Sequence, residues 1–89
     1  MTNQQIINRF FCDPKEMKTN NLRIEKRGDN FALVNYYTDL VFYDVEKDHY
    51  TFNATKYSAT TSRIQTMIHA GLPKPYSTII DGCKRGFRF

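Results

Sequence analysis

Tryptophan is absent from this chain, so an aromatic core has to be built from its seven Phe and six Tyr. Cysteine occurs only at Cys12 and Cys83, near opposite ends. Two isolated thiols exclude a cysteine-based zinc centre, and His49 and His69 have no ligand spacing to either. Both cysteines are expected free, in a reducing compartment. No metal and no cofactor is expected. No run of 18 apolar residues occurs, which excludes a membrane-spanning helix. The start "MTNQQIINRFF" lacks a basic segment followed by an apolar one, so no secretory signal is expected. A cytoplasmic, membrane-free protein is the expectation.

Acidic residues nearly vanish from the C-terminal part. Residues 1–53 carry seven basic and eight acidic residues, a net −1. Residues 54–89 carry six basic residues and one acid, Asp81, a net +5. The whole excess of +4 therefore sits in the last 36 residues. Such asymmetry favours an anionic partner, most often nucleic acid.

With 89 residues, 40% of them hydrophobic, the chain reads as a single small domain, residues 1–89, with a modest core. "TNQQ" fits a capping box from Thr2 to Gln5. Ile6, Ile7, Phe10 and Phe11 follow at helical spacing. Asp13-Pro14 ends that helix. "KEMKTNN" reads as a polar connector. From residue 21 the period becomes two: "LRIEKR", "FALVNYY", "LVFYDV" and "HYTFN" are four strand candidates, joined by "GDN", "TD" and "EKD". Connections this short force antiparallel neighbours. Helical period returns at Ile64, Met67, Ile68 and Leu72, closed by Gly71 and Pro73. "YSTII" offers one further strand, or a hairpin around Asp81-Gly82. The expected fold is α+β: an N-terminal helix, a four-stranded antiparallel meander, a second helix, and a short β or extended C-terminal tail. One sheet face is expected under a helix and the other to present Tyr36, Tyr43 and Tyr50.

Five hydroxyl residues crowd the second helix start: Tyr57, Ser58, Thr60, Thr61 and Ser62. Either Ser58 or Ser62 serves as N-cap, the latter making a capping box with Gln65. The hydroxyls left over, with Lys56 and Arg63, form a candidate anion site. Gln65 would read an adenine edge if the helix entered a major groove. Redundant local capping is the competing account. Lys84, Arg85 and Arg88 would extend the same positive surface. No Gly-rich phosphate loop precedes the helix, which argues against a nucleotide hydrolase. "KRGFRF" is similar to the opening of an RNA-recognition motif, but Arg88 stands where a small residue belongs. Phe87 and Phe89 are instead expected to pack, with Arg85 and Arg88 solvated. Asp44, Glu46 and Asp48 read as a solvated acidic turn. No constellation for catalysis emerges, and no enzyme is expected.

The stretch from Val34 to Ile68 contains a "Y-x-T" strand (Tyr36, Tyr37, Thr38) and then "TKYSATTSRIQ", from Thr55 to Gln65. It resembles a small bacteriophage-encoded domain of unknown function. The resemblance implies a phage or mobile-element origin, hence a bacterial host cytoplasm, and no particular activity. Three functions stand as expectations. The first is non-enzymatic binding to nucleic acid or a nucleoprotein complex through the basic C-terminal half. The second is an accessory inhibitor that binds a host defence or nucleic-acid enzyme by protein contacts, through Tyr36, Tyr43 and Tyr50. The third is a homo-oligomeric structural or assembly protein.

Overall fold

A computed structural model describes residues 1–82 and 85–89. Cys83 and Lys84 lie outside the described residues, and with them part of the expected Asp81-Gly82 hairpin.

Helix α1 spans Asn3–Cys12. Its start is the expected capping box: Gln5 N donates to Thr2 Oγ1 over 3.2 Å, and Thr2 N donates to Gln5 Oε1 over 2.8 Å. Ile6, Ile7 and Phe10 are fully buried, while Cys12 is exposed.

Six strands follow in one mixed sheet, in the order β1-β2-β3-β4-β5-β6. They are β1 (Met17–Lys18), β2 (Leu22–Arg27), β3 (Asn30–Asn35), β4 (Thr38–Asp44), β5 (His49–Asn53) and β6 (Tyr76–Ile79). The antiparallel meander is present as β2 to β5, so the four-stranded expectation holds only for the centre of the sheet. Two residues of the supposed polar connector pair with β2 as β1. On the other side β6 pairs with β5 in parallel, because helix α2 (Ala59–Gly71) supplies the crossover a parallel return requires.

The strand boundaries also differ from the alternation in sequence. Tyr36 takes a left-handed φ of 56°, so the chain turns at Tyr36-Tyr37. Thr38 and Asp39, read as a connector, belong to β4. Pairing runs Leu33 to Val41 and then Val34 to Asp39, which leaves Leu40 as an extra, bulged residue. The bulge puts Leu40 and Val41 into the same core, and both are fully buried.

Ile24, Leu33, Val41 and Phe52 lie in one cross-strand row. They pack with Ile6, Ile7 and Phe10 of α1 and Ile64 and Ile68 of α2. Both helices thus cover one face. Each fully buried Ile, Leu or Phe contributes about 1.5–3 kcal/mol.

The opposite face is closed by the C-terminal segment. Asp39 N donates to Phe87 O over 2.9 Å, and Phe89 N donates to Asp39 Oδ2 over 3.0 Å. Phe89 meets Phe42 at 5.8 Å and Phe87 at 4.9 Å between ring centroids. Arg23, Glu25 and Arg27, alternate residues of β2, form a charged row on this face. Arg27 pairs with fully buried Asp39, and Arg88 reaches Glu25 at 3.3 Å and Asp39 at 3.6 Å. Phe87 and Phe89 pack as expected. Arg88 stays exposed, as expected, but it is ion-paired there by Glu25 and Asp39.

Candidate functional site: a cationic, tyrosine-lined cleft

The β3–β4 turn, the start of α2 and the C-terminal segment meet at one end of the sheet. The turn has two residues, since Asn35 pairs with Thr38. Its first position needs the positive φ that glycine usually supplies, yet Tyr36 occupies it. The conformation is held from outside: Tyr36 Oη donates to Asn21 Oδ1 over 3.1 Å, and Arg23 donates to the Tyr36 carbonyl. Tyr36 and Tyr37 project outward, 58% and 76% exposed.

Ser58 is the N-cap of α2, accepting from Thr61 N over 3.3 Å. The alternative start at Ser62 does not occur; Ser62 lies inside the helix, its carbonyl accepting from Thr66 Oγ1. The capping bond continues into a chain of hydrogen bonds that is buried at its centre. Ser58 Oγ donates to Thr61 Oγ1 over 3.2 Å, Thr61 Oγ1 to Asn35 Oδ1 over 3.1 Å, and Asn35 Nδ2 to the Asn21 carbonyl over 2.8 Å. The helix start is thereby tied to the end of β3, and Thr61 is engaged in structure.

Gln65 is engaged too. Its Nε2 donates to the carbonyls of Asn53 (2.8 Å) and Thr55 (2.9 Å), and the residue is 8% exposed. It has no free amide to offer a base edge, and the expected groove-reading role is set aside. The reason is tertiary: Gln65 lies between Ile64 and Ile68 in sequence and shares their buried side of the helix.

The C-terminal segment supplies the third wall. Gly86 has φ 79° and donates to Thr38 Oγ1 over 3.1 Å, a left-handed residue that glycine adopts freely. That bond anchors the chain beside the turn and brings Arg85 to it.

The result is a cleft of about 930 Å³. Lys56 and Arg85 line it as cations; Tyr36, Tyr37 and Tyr57 line it with rings. Ser58, Thr60 and Thr61 complete the helix side. Among the described residues, neither Lys56 nor Arg85 has an ion-pair partner, whereas Arg23, Arg27 and Arg88 are all paired.

The structure therefore brings together Lys56, Ser58, Thr60, Thr61 and Arg85 of the expected anion site. It leaves Ser62, Arg63, Gln65 and Arg88 outside the lining, and Lys84 lies outside the described residues. The three tyrosines of the alternative interface do not share a surface. Tyr36 is in the cleft, at the opposite end of β4 from Tyr43. Tyr43 and Tyr50 stack at 4.5 Å on the helix-covered side. Burial there raises the Tyr50 hydroxyl pKa, and the bond Tyr43 donates to Asp48 lifts its own to about 12. Sequence reasoning missed Tyr37 and Tyr57 as cleft residues. The signal was the adjacent pair in "NYYT", placed where a turn was needed.

Among the described residues, no cluster of three His, Cys, Asp or Glu could hold a metal ion. No helix among them is long and apolar enough to cross a membrane. No protein-family model matches the chain, and no curated protein or solved structure matches it.

Proposed function

We propose that this is a non-enzymatic, bacteriophage-type protein that binds nucleic acid, alone or within a nucleoprotein complex, through the cleft at the start of α2. One observation carries the reading: Lys56 and Arg85, which have no acidic partner among the described residues, line the same cleft as three tyrosine rings. Cations give affinity for phosphate, and rings accept bases. The helix terminus is not needed, since Ser58 already caps it. In this reading the protein acts in a bacterial host cytoplasm.

The test is binding of labelled DNA and RNA oligonucleotides across a salt series. Affinity should fall steeply with salt. Lys56→Gln and Arg85→Gln should each weaken it without lowering the melting temperature. Absence of binding at low salt would falsify the reading.

A second reading has its own support in the exposure of Tyr36 and Tyr37. Tyrosines on a rigid turn suit the centre of a protein interface, as an inhibitor of a host defence enzyme would use. Capture of a host protein that survives nuclease and high salt, and is lost in Tyr37→Ala, would favour it.

A further inference from the structure

Resting on the nucleic-acid reading, we infer that the cleft takes a single strand, with an unpaired base stacked on the Tyr36-Tyr37 turn and its flanking phosphates on Lys56 and Arg85. Stacking needs an open base face. In a duplex both faces of every internal base are covered by neighbours, so an exposed ring reaches only an unpaired one.

The shape of the site points the same way. Reading a duplex in the major groove takes a helix or a two-stranded ribbon free to enter it, and β3 and β4 are flanked in the sheet by β2 and β5. Helix α2 is not free: Ile64, Gln65 and Ile68 are buried against the body, and its start forms one wall of the cleft beside the β3–β4 turn and Arg85. Lys56 and Arg85, which have no ion-pair partner among the described residues, line a single cleft rather than two separate tracks. They suit one strand passing a ring.

Tyr37 is the side chain to test. It is 76% exposed, so removing it leaves the core intact, whereas Tyr36 holds Asn21. The probes are a labelled oligothymidylate of about twelve nucleotides, its oligouridylate counterpart, and a hairpin duplex of similar length, read by fluorescence anisotropy at about 50 mM salt. The single strands should bind at least about tenfold tighter than the duplex. Tyr37→Ala should weaken single-strand binding roughly 5- to 150-fold, the range for loss of one stacked base. Tyr37→Trp, with a larger flat ring, should retain it; Tyr37→Leu, apolar but not flat, should not. Duplex binding equal to or tighter than single-strand binding would overturn the inference and leave the nucleic-acid reading standing. So would single-strand binding unchanged in Tyr37→Ala. No binding to any probe would remove both.

Discussion

Gln65 and Arg63 sit two positions apart on α2 and have opposite fates. Gln65 is buried, donating to two carbonyls; Arg63 is exposed. Gln65→Leu removes the donor from both carbonyls and should cost about 1–3 kcal/mol, read from the urea midpoint. Arg63→Ala should change stability by less than about 0.5 kcal/mol and weaken nucleic-acid binding less than Lys56→Gln or Arg85→Gln. Glu25 gives a pH dependence. Burial pushes its carboxyl up, but the hydrogen bonds and charges of Arg23 and Arg27 outweigh this and hold it at about 2 instead of 4.5. A carboxyl lowered on folding stabilises fully above its unfolded pKa. The contribution should thus be intact above 4.5 and fade as pH falls toward 2. In Glu25→Gln that part of the acid dependence should be missing from a urea-midpoint series.

At the scale of elements, α2 does three jobs. It closes the core through Ile64 and Ile68, carries the chain across for the parallel return to β6, and presents its start to the cleft. Ile64→Ala or Ile68→Ala should cost about 2–4 kcal/mol, which a domain this small can hardly absorb. A melting temperature unchanged in both would contradict the packing. The amphipathic spacing of α1 and α2, and the alternation of β2, were readable because local sequence and burial agree. The β3–β4 turn was not. A Tyr at positive φ goes against local preference, and contacts with Asn21 and Arg23 hold it there. Residues held in such strained positions cluster at functional sites, which fits the cleft at this turn. Strands β1 and β6 were misread or left ambiguous for a related reason. Each is short, and pairing with a neighbour, not its own pattern, makes it a strand.

Across the whole molecule, charge is sorted by partnership. The acids of β2 and β4 take up Arg23, Arg27 and Arg88. Lys56 and Arg85 are left at the cleft. Counterion release from one strand gives a salt slope of about −0.7 per phosphate. Lys56 and Arg85 together should contribute about −1.4 to the slope, and Lys56→Gln or Arg85→Gln should each remove about 0.7 of that. Asp39 connects this to the fold. It is fully buried and holds both Arg27 and the C-terminal segment. Asp39→Ala leaves Arg27 with Glu25 as its remaining partner and strips Phe89 N of its acceptor, and should destabilise by about 1–3 kcal/mol. Because the same residue anchors the segment that carries Arg85, single-strand binding should weaken even at temperatures where the variant is folded.

The sequence by itself determined the helices, the antiparallel core of the sheet and the segregation of positive charge. Each is a local property, set by the spacing of apolar residues, the shortness of connections and the count of side chains. Only the tertiary structure decided which basic and hydroxyl residues are available. Arg88, Gln65 and Thr61 looked as eligible as Arg85, Lys56 and Thr60 when read along the chain. Folding pairs Arg88 with half-buried Glu25 and buried Asp39, aims Gln65 at two carbonyls and ties Thr61 to Asn35. It leaves Lys56 and Arg85 beside the exposed tyrosines, since the partners that neutralise a cation or satisfy an amide come from segments distant in sequence.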